Sequence, residues 1–190
     1  MPTAFFITHP EVFVDPALPV PAWRLSDRGV ARMRTFAGSA FLSGLTSIWS
    51  SSEAKAIEAA GLLAAGFGLP VKVDEHLGEN DRSATGFLPP ADFERAADSF
   101  FANPYESVRG WERAVDAQER VVRAVFRILG SHRDGDIAFI SHGGVGTLLL
   151  CKLLDVPISR SQDQPFQGNF FAFDLSGHKV IHEWRSIDEG

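Results

Sequence analysis

Short apolar runs alternate along the chain with charged or turn-forming segments. Ala4–Ile7, Thr46–Ser50, Val71–Val73 and Ile137–Ile140 are the runs whose length and composition predict buried strands. Between them, apolar residues recur every three or four positions, which predicts helices with one buried face. This alternation of strands and helices is typical of an α/β domain with a mostly parallel sheet.

The helical periodicity and its stop signals give approximate bounds for the larger elements. Ser26 and Asp27 precede the first helix as candidate N-caps. The predicted helices are 28–41, 53–66, 92–101 and 107–129. Near the end of the chain, two apolar stretches, 170–175 and 180–184, flank Ser176 and Gly177, which predicts an antiparallel hairpin at a sheet edge.

One stretch, Asp136–Asp155, joins a predicted strand to a predicted helix through Ser141, His142, Gly143 and Gly144. In open α/β sheets, ligands bind at the carboxyl ends of the strands. The backbone N–H groups that begin the following helix favour an anion, and glycine lets the backbone approach it closely. His142 is therefore a candidate functional residue, although a polar residue at this position can also serve only as a helix cap.

A second histidine follows another predicted strand, because His9 comes directly after Ala4–Ile7 and Thr8. The chain has only six histidines in 190 residues. Two of them at equivalent strand ends would deliver two imidazoles to one edge of the sheet. Imidazole is suited to nucleophilic and proton-transfer chemistry near neutral pH.

Five segments in order along the chain carry a family resemblance. They are Thr8-His9-Pro10, Leu25-Ser26-Asp27-Arg28-Gly29, Ser51-Ser52-Glu53-Ala54-Lys55-Ala56, Glu75-His76-Leu77-Gly78-Glu79 and Ser141-His142-Gly143-Gly144. With these segments the chain resembles the histidine phosphatase superfamily, also called phosphoglycerate mutase-like, from about residue 4 to residue 184. The order and spacing of the motifs carry the resemblance, and no single motif does.

The resemblance implies a fold and a set of roles. The fold is a three-layer α/β/α sandwich whose mostly parallel central sheet has an antiparallel edge strand, in a single domain over residues 1–190. The catalytic residues implied are His9 as nucleophile, Glu79 as proton donor and His142. Lys55 and the Gly143 N–H would hold the phosphate. From the residues alone, Glu75 and Asp81 are equally good proton donors.

Two departures from the family pattern make the predicted phosphate site less cationic. Thr8 stands where the family has an arginine before its nucleophilic histidine, and Pro10 stands where it has a glycine. The second phosphate-binding arginine falls on Lys55, which keeps the charge but lacks the bidentate fork of a guanidinium. We expect Thr8 still to line the site and Arg82 to replace the lost charge, with Arg24, Arg28 and Arg109 as alternatives.

Composition excludes several classes of partner and cofactor. A formal net charge of −6 without clustered Lys and Arg argues against nucleic-acid and anionic-membrane surfaces. The single cysteine, Cys151, excludes an intramolecular disulfide. Nucleotide-binding glycine loops and metal-ligand spacings are missing, so no cofactor and no metal are expected. No leader or spanning segment is apparent, and we expect a cytoplasmic protein.

The function expected from the sequence is hydrolysis of a phosphomonoester, a small phosphorylated metabolite, through a phosphohistidine intermediate. The missing arginines leave a second hypothesis open, that of a weak or inactive member that binds phosphate or acidic ligands. A phosphomutase is a third. The oligomeric state is not predicted.

Overall fold

The structure is a computed structural model that describes residues 2–189. Its strands are β1 (Thr3–Thr8), β2 (Leu45–Ser50), β3 (Val71–Val73), β4 (Asp136–Ser141), β5 (Asn169–Asp174) and β6 (Val180–Ser186). They form one sheet in the order β3-β2-β4-β1-β5-β6. The first four strands are parallel, and β5 is antiparallel to both of its neighbours, β1 and β6. The predicted mostly parallel sheet with an antiparallel edge is confirmed.

Helices cover both faces of this sheet. They are α1 (Asp27–Phe36), α2 (Ala54–Phe67), α3 (Pro90–Ala102), α4 (Ala114–Ser131) and α5 (Gly143–Leu153). Residues of α1 and α2 form one buried cluster with the sheet, and residues of α3, α4 and α5 form a second. The predicted three-layer architecture is therefore confirmed. In the part of the chain that the structure describes, no helix is long and apolar enough to cross a membrane.

The strand β1 shows why the central runs are continuously apolar. Phe5 and Ile7 belong to the cluster under α1 and α2, whereas Phe6 belongs to the cluster under α3 to α5. A strand covered on both faces has no side that can be polar. The run ends where β1 reaches the carboxyl edge of the sheet.

The register of β1 against β4 places His9 and His142 side by side, at one edge of the sheet as predicted. Thr8 pairs with Ser141 at the end of both strands. The next backbone N–H, that of His9, donates to the Ser141 carbonyl over 3.1 Å. His9 and His142 therefore leave the sheet at the same height on adjacent strands.

Two predicted helices were too long. The first ends at Phe36 instead of residue 41, because Ser39 caps a separate 3₁₀ turn, Ala40–Leu42. The fourth begins at Ala114 instead of residue 107, because Gly110 has a φ of 82° and breaks the helical backbone. Trp111 is nevertheless buried, so its apolar side chain extended the periodic pattern beyond the helix.

Candidate active site

The two histidines form the centre of the site. The ring centroids of His9 and His142 are 5.2 Å apart, with an angle of 66° between the planes. Burial is the largest cause that lowers the pKa of each ring, to about 4 for His9 and about 3 for His142. Both rings are therefore neutral at physiological pH. The strand ends therefore present two uncharged imidazoles at one point of the sheet edge.

His9 is held in the tautomer that a nucleophile needs. Its Nδ1 lies 2.9 Å from the Pro10 carbonyl oxygen, which can only accept, so Nδ1 carries the proton. The Nε2 atom consequently carries the lone pair. Pro10, which replaces the family's glycine, supplies this carbonyl from a backbone whose φ the proline ring fixes.

His142 is bound on the opposite side of the ring. Its Nε2 lies 2.7 Å from the Ser51 hydroxyl and 3.3 Å from a Glu53 carboxylate oxygen. Its Nδ1 is buried and has no hydrogen-bond partner within residues 2–189. A buried imidazole nitrogen without a partner is costly unless a ligand satisfies it.

Lys55 lies inside the site. Only 5% of its side chain is exposed, and its Nζ donates to the Val20 carbonyl over 3.0 Å and forms an ion pair with Glu53. Val20 belongs to the proline-rich segment after β1, which thus covers this side of the pocket. Lys55 is therefore a buried cation whose charge is shared with a carboxylate, which the sequence did not predict.

Glu53 is a site residue that the sequence analysis missed. One carboxylate oxygen pairs with Lys55, and the other accepts from the Glu79 backbone N–H over 3.0 Å. Burial opposes its ionisation, yet the neighbouring His142 and Lys55 lower its pKa to about 2. The available signal was its place in the motif segment directly before α2, between Ser52 and Lys55.

Glu79 lies at the first turn of α5. Its carboxylate accepts from the backbone N–H groups of Gly144 and Val145, each over 3.0 Å, and from its own neighbour Asn80 over 3.1 Å. The Gly143 N–H precedes these two in the helix. Of the three carboxylates considered from the sequence, the structure brings Glu79 to α5, whereas Glu75 and Asp81 are exposed.

Arg120 fixes the position of the segment that carries Glu79. Its guanidinium donates to three carbonyls of this segment, those of His76, Gly78 and Glu79, over 2.8 to 3.1 Å. The Ser141 hydroxyl donates to the Leu77 carbonyl over 2.6 Å. Glu79 is thus positioned by the chain and not left in a mobile loop. Arg120 was not predicted, because nothing in its spacing on α4 distinguishes it from other surface arginines.

Of the four arginines considered from the sequence, Arg82 is the one that the structure places at the site. Its Nη2 is 3.9 Å from a Glu79 carboxylate oxygen, and its charge contributes to the lowered pKa of His9. The guanidinium stacks on Phe93 and Trp111, with 5.1 and 5.6 Å to the ring centroids. The alternatives Arg24, Arg28 and Arg109 are exposed, and the first two pair with Glu58 and Glu11.

Thr8 is fully buried, and its hydroxyl is already engaged. It lies 2.7 Å from the Gln164 amide oxygen and accepts from the Asn169 backbone N–H over 3.0 Å. The Gln164 side chain lies against Gly143, where an added Cβ would come within 2.3 Å of the amide nitrogen. Thr8 and the Gln164 side chain that it contacts are both neutral, and a direct contact of Thr8 with substrate stays a prediction.

The site as a whole contains two imidazoles, two cations and two carboxylates. With both imidazoles neutral, the formal charges of Lys55, Arg82, Glu53 and Glu79 sum to zero. Within residues 2–189, no group of three or more His, Cys, Asp or Glu side chains is arranged to hold a metal ion. The arrangement can supply a nitrogen nucleophile beside backbone and side-chain donors for an oxyanion.

Comparison with solved structures finds the same fold in several proteins, among them phosphatases. A mycobacterial glucosyl-3-phosphoglycerate phosphatase in complex with inorganic phosphate superposes with a TM-score of 0.79 at 19% identity, covering 99% of each chain. A phosphoserine phosphatase mutant from Entamoeba histolytica, bound to phosphoserine, gives a TM-score of 0.81 at 14% identity over 98% of each chain. Bacillus stearothermophilus YhfR gives 0.80 at 22% identity, covering 96% of this chain and 95% of its own.

A search of curated proteins finds no match to this sequence. The family model described as the histidine phosphatase superfamily, branch 1, matches residues 21–170, which is most of the chain. The chain belongs to the histidine phosphatase superfamily.

Proposed function

We propose that the protein hydrolyses the phosphomonoester of a small phosphorylated metabolite, with His9 as the nucleophile. The observation that carries the proposal is the state of His9. Its ring is neutral, Nδ1–H is fixed to the Pro10 carbonyl, and Nε2 carries the lone pair beside a second imidazole. The related phosphatases named above act on small phosphorylated compounds, which supports a substrate of this class.

In the first step, His9 Nε2 attacks phosphorus, the N–P bond forms and the bond to the leaving alkoxide breaks. Charge on the equatorial oxygens is met by the Lys55 ammonium, the Gly143 N–H and His142. The unpartnered Nδ1 of His142 would obtain a partner when a protonated phosphate oxygen or a shared proton lies beside it. Lys55 needs no large movement, since it is already buried next to His9, whose pKa its charge lowers.

Glu79 is the proposed proton donor to the leaving oxygen. In the structure its carboxylate accepts three backbone N–H groups. A phosphate dianion beside Glu79 would favour the protonated carboxyl group, because two negative charges at close range repel each other. Glu79 would then give that proton to the alkoxide.

In the second step, water attacks the phosphohistidine. Glu79, now a carboxylate, accepts a proton from the water, the N–P bond breaks, and inorganic phosphate leaves. His9 regains its neutral state and its hydrogen bond to Pro10. A mutase would need to retain and reorient the phosphorylated intermediate, and no residue of the site indicates that specialisation.

The second candidate function is binding without turnover, and one observation favours it. Lys55 is paired with Glu53, and Thr8, which stands where the family has an arginine, contacts the neutral Gln164, so the site holds a dianion less strongly than a fully cationic pocket. Such a site could retain affinity for phosphate while stabilising the transition state poorly.

Hydrolysis of p-nitrophenyl phosphate separates these two functions. The wild-type protein should turn this ester over, and His9→Ala should reduce the rate by about 10³-fold or more, as expected when a nucleophile is removed. His178→Ala is the matched control, since His178 packs on Phe126 away from the site. If wild type and His9→Ala show the same rate, the proposed function is wrong.

A further inference from the structure

The position of Glu53 bears on the charge of the ligand that the site binds. A carboxylate is an unexpected group in a pocket for a phosphate, and nothing in the proposed chemistry uses it. Its side chain is 12% exposed and belongs to the segment that begins α2. One oxygen is committed to Lys55 and the other to the Glu79 N–H and His142.

We propose that Glu53 is a specificity-determining residue that sets the charge of the bound phosphoryl group. It neutralises Lys55, so the site accepts the group as a monoanion or, equivalently, as a dianion together with one proton. This inference rests on the proposed function, because it assumes that a phosphate ester occupies the pocket.

The geometry supports this role because Glu53 contacts the groups that would bind the phosphate. Lys55 is its direct ion-pair partner, and a lysine already paired offers less attraction to a second anion. His142 lies 3.3 Å from it on the α5 side. An oxyanion that approaches Lys55 therefore also approaches the Glu53 carboxylate, and the repulsion is felt at short range and low dielectric.

Groups from every neighbouring element face this carboxylate. They are Lys55 on α2, His9 at the end of β1, His142 before α5, the Glu79 N–H on the segment after β3, and Arg120 on α4. The cations among them are already paired, because Arg120 forms its ion pair with Glu112. A bound dianion would thus leave a surplus negative charge that one proton relieves.

The proton has defined places to go. His142 Nδ1 is unpartnered, and the Glu79 carboxylate and the phosphate itself are adjacent acceptors. The low pKa values of His142 and Glu53 in the free protein show that these groups carry no extra proton before a ligand binds. Binding therefore takes the proton up from solvent, and affinity falls as pH rises.

Tungstate tests the inference, because it remains a tetrahedral dianion from neutral to alkaline pH, so any proton taken up belongs to the protein. For wild type, affinity should fall as pH rises from about 6.5 to about 9. Glu53→Gln keeps the shape and removes the charge, so it should bind tungstate about tenfold more tightly at about pH 8 and lose most of the pH dependence. Glu53→Asp should keep the wild-type pH dependence.

Glu58→Gln is the matched control. Glu58 lies on the same helix, but its carboxylate accepts from the Leu25 N–H and pairs with Arg24, so its removal should leave tungstate affinity unchanged. Calorimetry of wild type in two buffers of different ionisation enthalpy gives a second measurement without a variant. It should show uptake of roughly one proton on binding.

The outcomes distinguish this inference from the proposed function. If tungstate binds wild type with pH-independent affinity and without proton uptake, the role of Glu53 is overturned while the phosphate site stands. Tighter binding by wild type than by Glu53→Gln at alkaline pH would also overturn it. If neither protein binds tungstate at any pH, the proposed phosphate site itself is wrong.

Discussion

The ends of β1 and β4 carry the same residue type at the same height but give it opposite environments. His9 has its Nδ1 satisfied by a backbone carbonyl and its Nε2 lone pair available. His142 has its Nε2 engaged by Ser51 and Glu53 and its Nδ1 unpartnered in the interior. Burial is the largest cause that lowers the pKa of each ring, to about 3 for His142 and about 4 for His9.

In the proposed reaction, this difference gives the two imidazoles different roles. A nucleophile needs one fixed proton and one free lone pair, which describes His9. A group that holds charge in the transition state needs fixed partners and a free position toward the ligand, which describes His142. Equal strand ends thus become unequal catalytic groups through the residues that contact them, namely Pro10 on one side and Ser51 with Glu53 on the other.

The largest effect on the rate should come from Glu79→Gln, because in the proposed reaction neither imidazole supplies the proton for the leaving group. General acid catalysis typically contributes about 10²- to 10⁴-fold, so we expect a loss in that range on an alkyl phosphate. p-Nitrophenolate leaves largely unaided, and its ester should be affected far less. The measurement is the rate of each ester with wild type and variant.

Glu75→Gln and Asp81→Asn are the controls for Glu79, since both residues lie in the same connection but are exposed. Neither should show the selective loss. If Glu79→Gln slows both esters equally while one of the controls shows selectivity, the proton donor is not Glu79.

An intermediate effect, on anion affinity, is expected when Lys55 beside the His9 and His142 pair is replaced. Lys55→Ala should weaken vanadate binding about 10- to 100-fold, because a charge-assisted hydrogen bond contributes roughly 1.5 to 3 kcal/mol. Lys55→Arg should weaken it less. Lys72→Ala, at an exposed lysine over Trp49, is the control. Equal affinity for vanadate in Lys55→Ala and wild type would remove Lys55 from the site.

The smallest effect is on stability in acid. The folded protein keeps both rings neutral below their ordinary pKa of 6.5, so the unfolded chain binds more protons between about pH 3 and 6.5. The free energy of unfolding should therefore be highest above about pH 6.5 and fall as pH decreases through this window. Glu53 acts in the same direction between pH 4.5 and about 2.

Denaturant unfolding at several pH values can compare the two histidines. His142→Asn and His9→Asn should each flatten the acid dependence, because each removes a ring whose pKa is lowered in the folded protein. A steeper dependence in His142→Asn than in wild type would show that the buried ring is not neutral in the folded protein.

The sequence predicted the features that depend on local pattern, namely the buried strands and the histidines that follow them. Apolar runs such as Ala4–Ile7 are buried on both faces, and a histidine directly after such a run has to emerge at the sheet edge. The ends of α1 and α4 were misplaced because buried side chains such as Trp111 continue an apolar period after the backbone has left the helix.

The charge balance of the site could not be predicted, because it depends on contacts between distant segments. Glu53 reaches His142 across 89 positions of the chain, and Gln164 reaches Thr8 across 156. No periodicity or spacing links such pairs. Arg82 was one of four possible arginines, and its contacts with Glu79, Phe93 and Trp111 distinguish it.

Trapping the covalent intermediate tests the central claim most directly. Wild-type protein mixed with a phosphate ester and quenched within milliseconds under alkaline denaturing conditions should carry one acid-labile phosphoryl group, and peptide mapping should locate it on His9. His142→Ala should still acquire the label there, more slowly, and His9→Ala should not acquire it. If wild type turns the ester over while the label appears only on another residue, His9 is not the nucleophile.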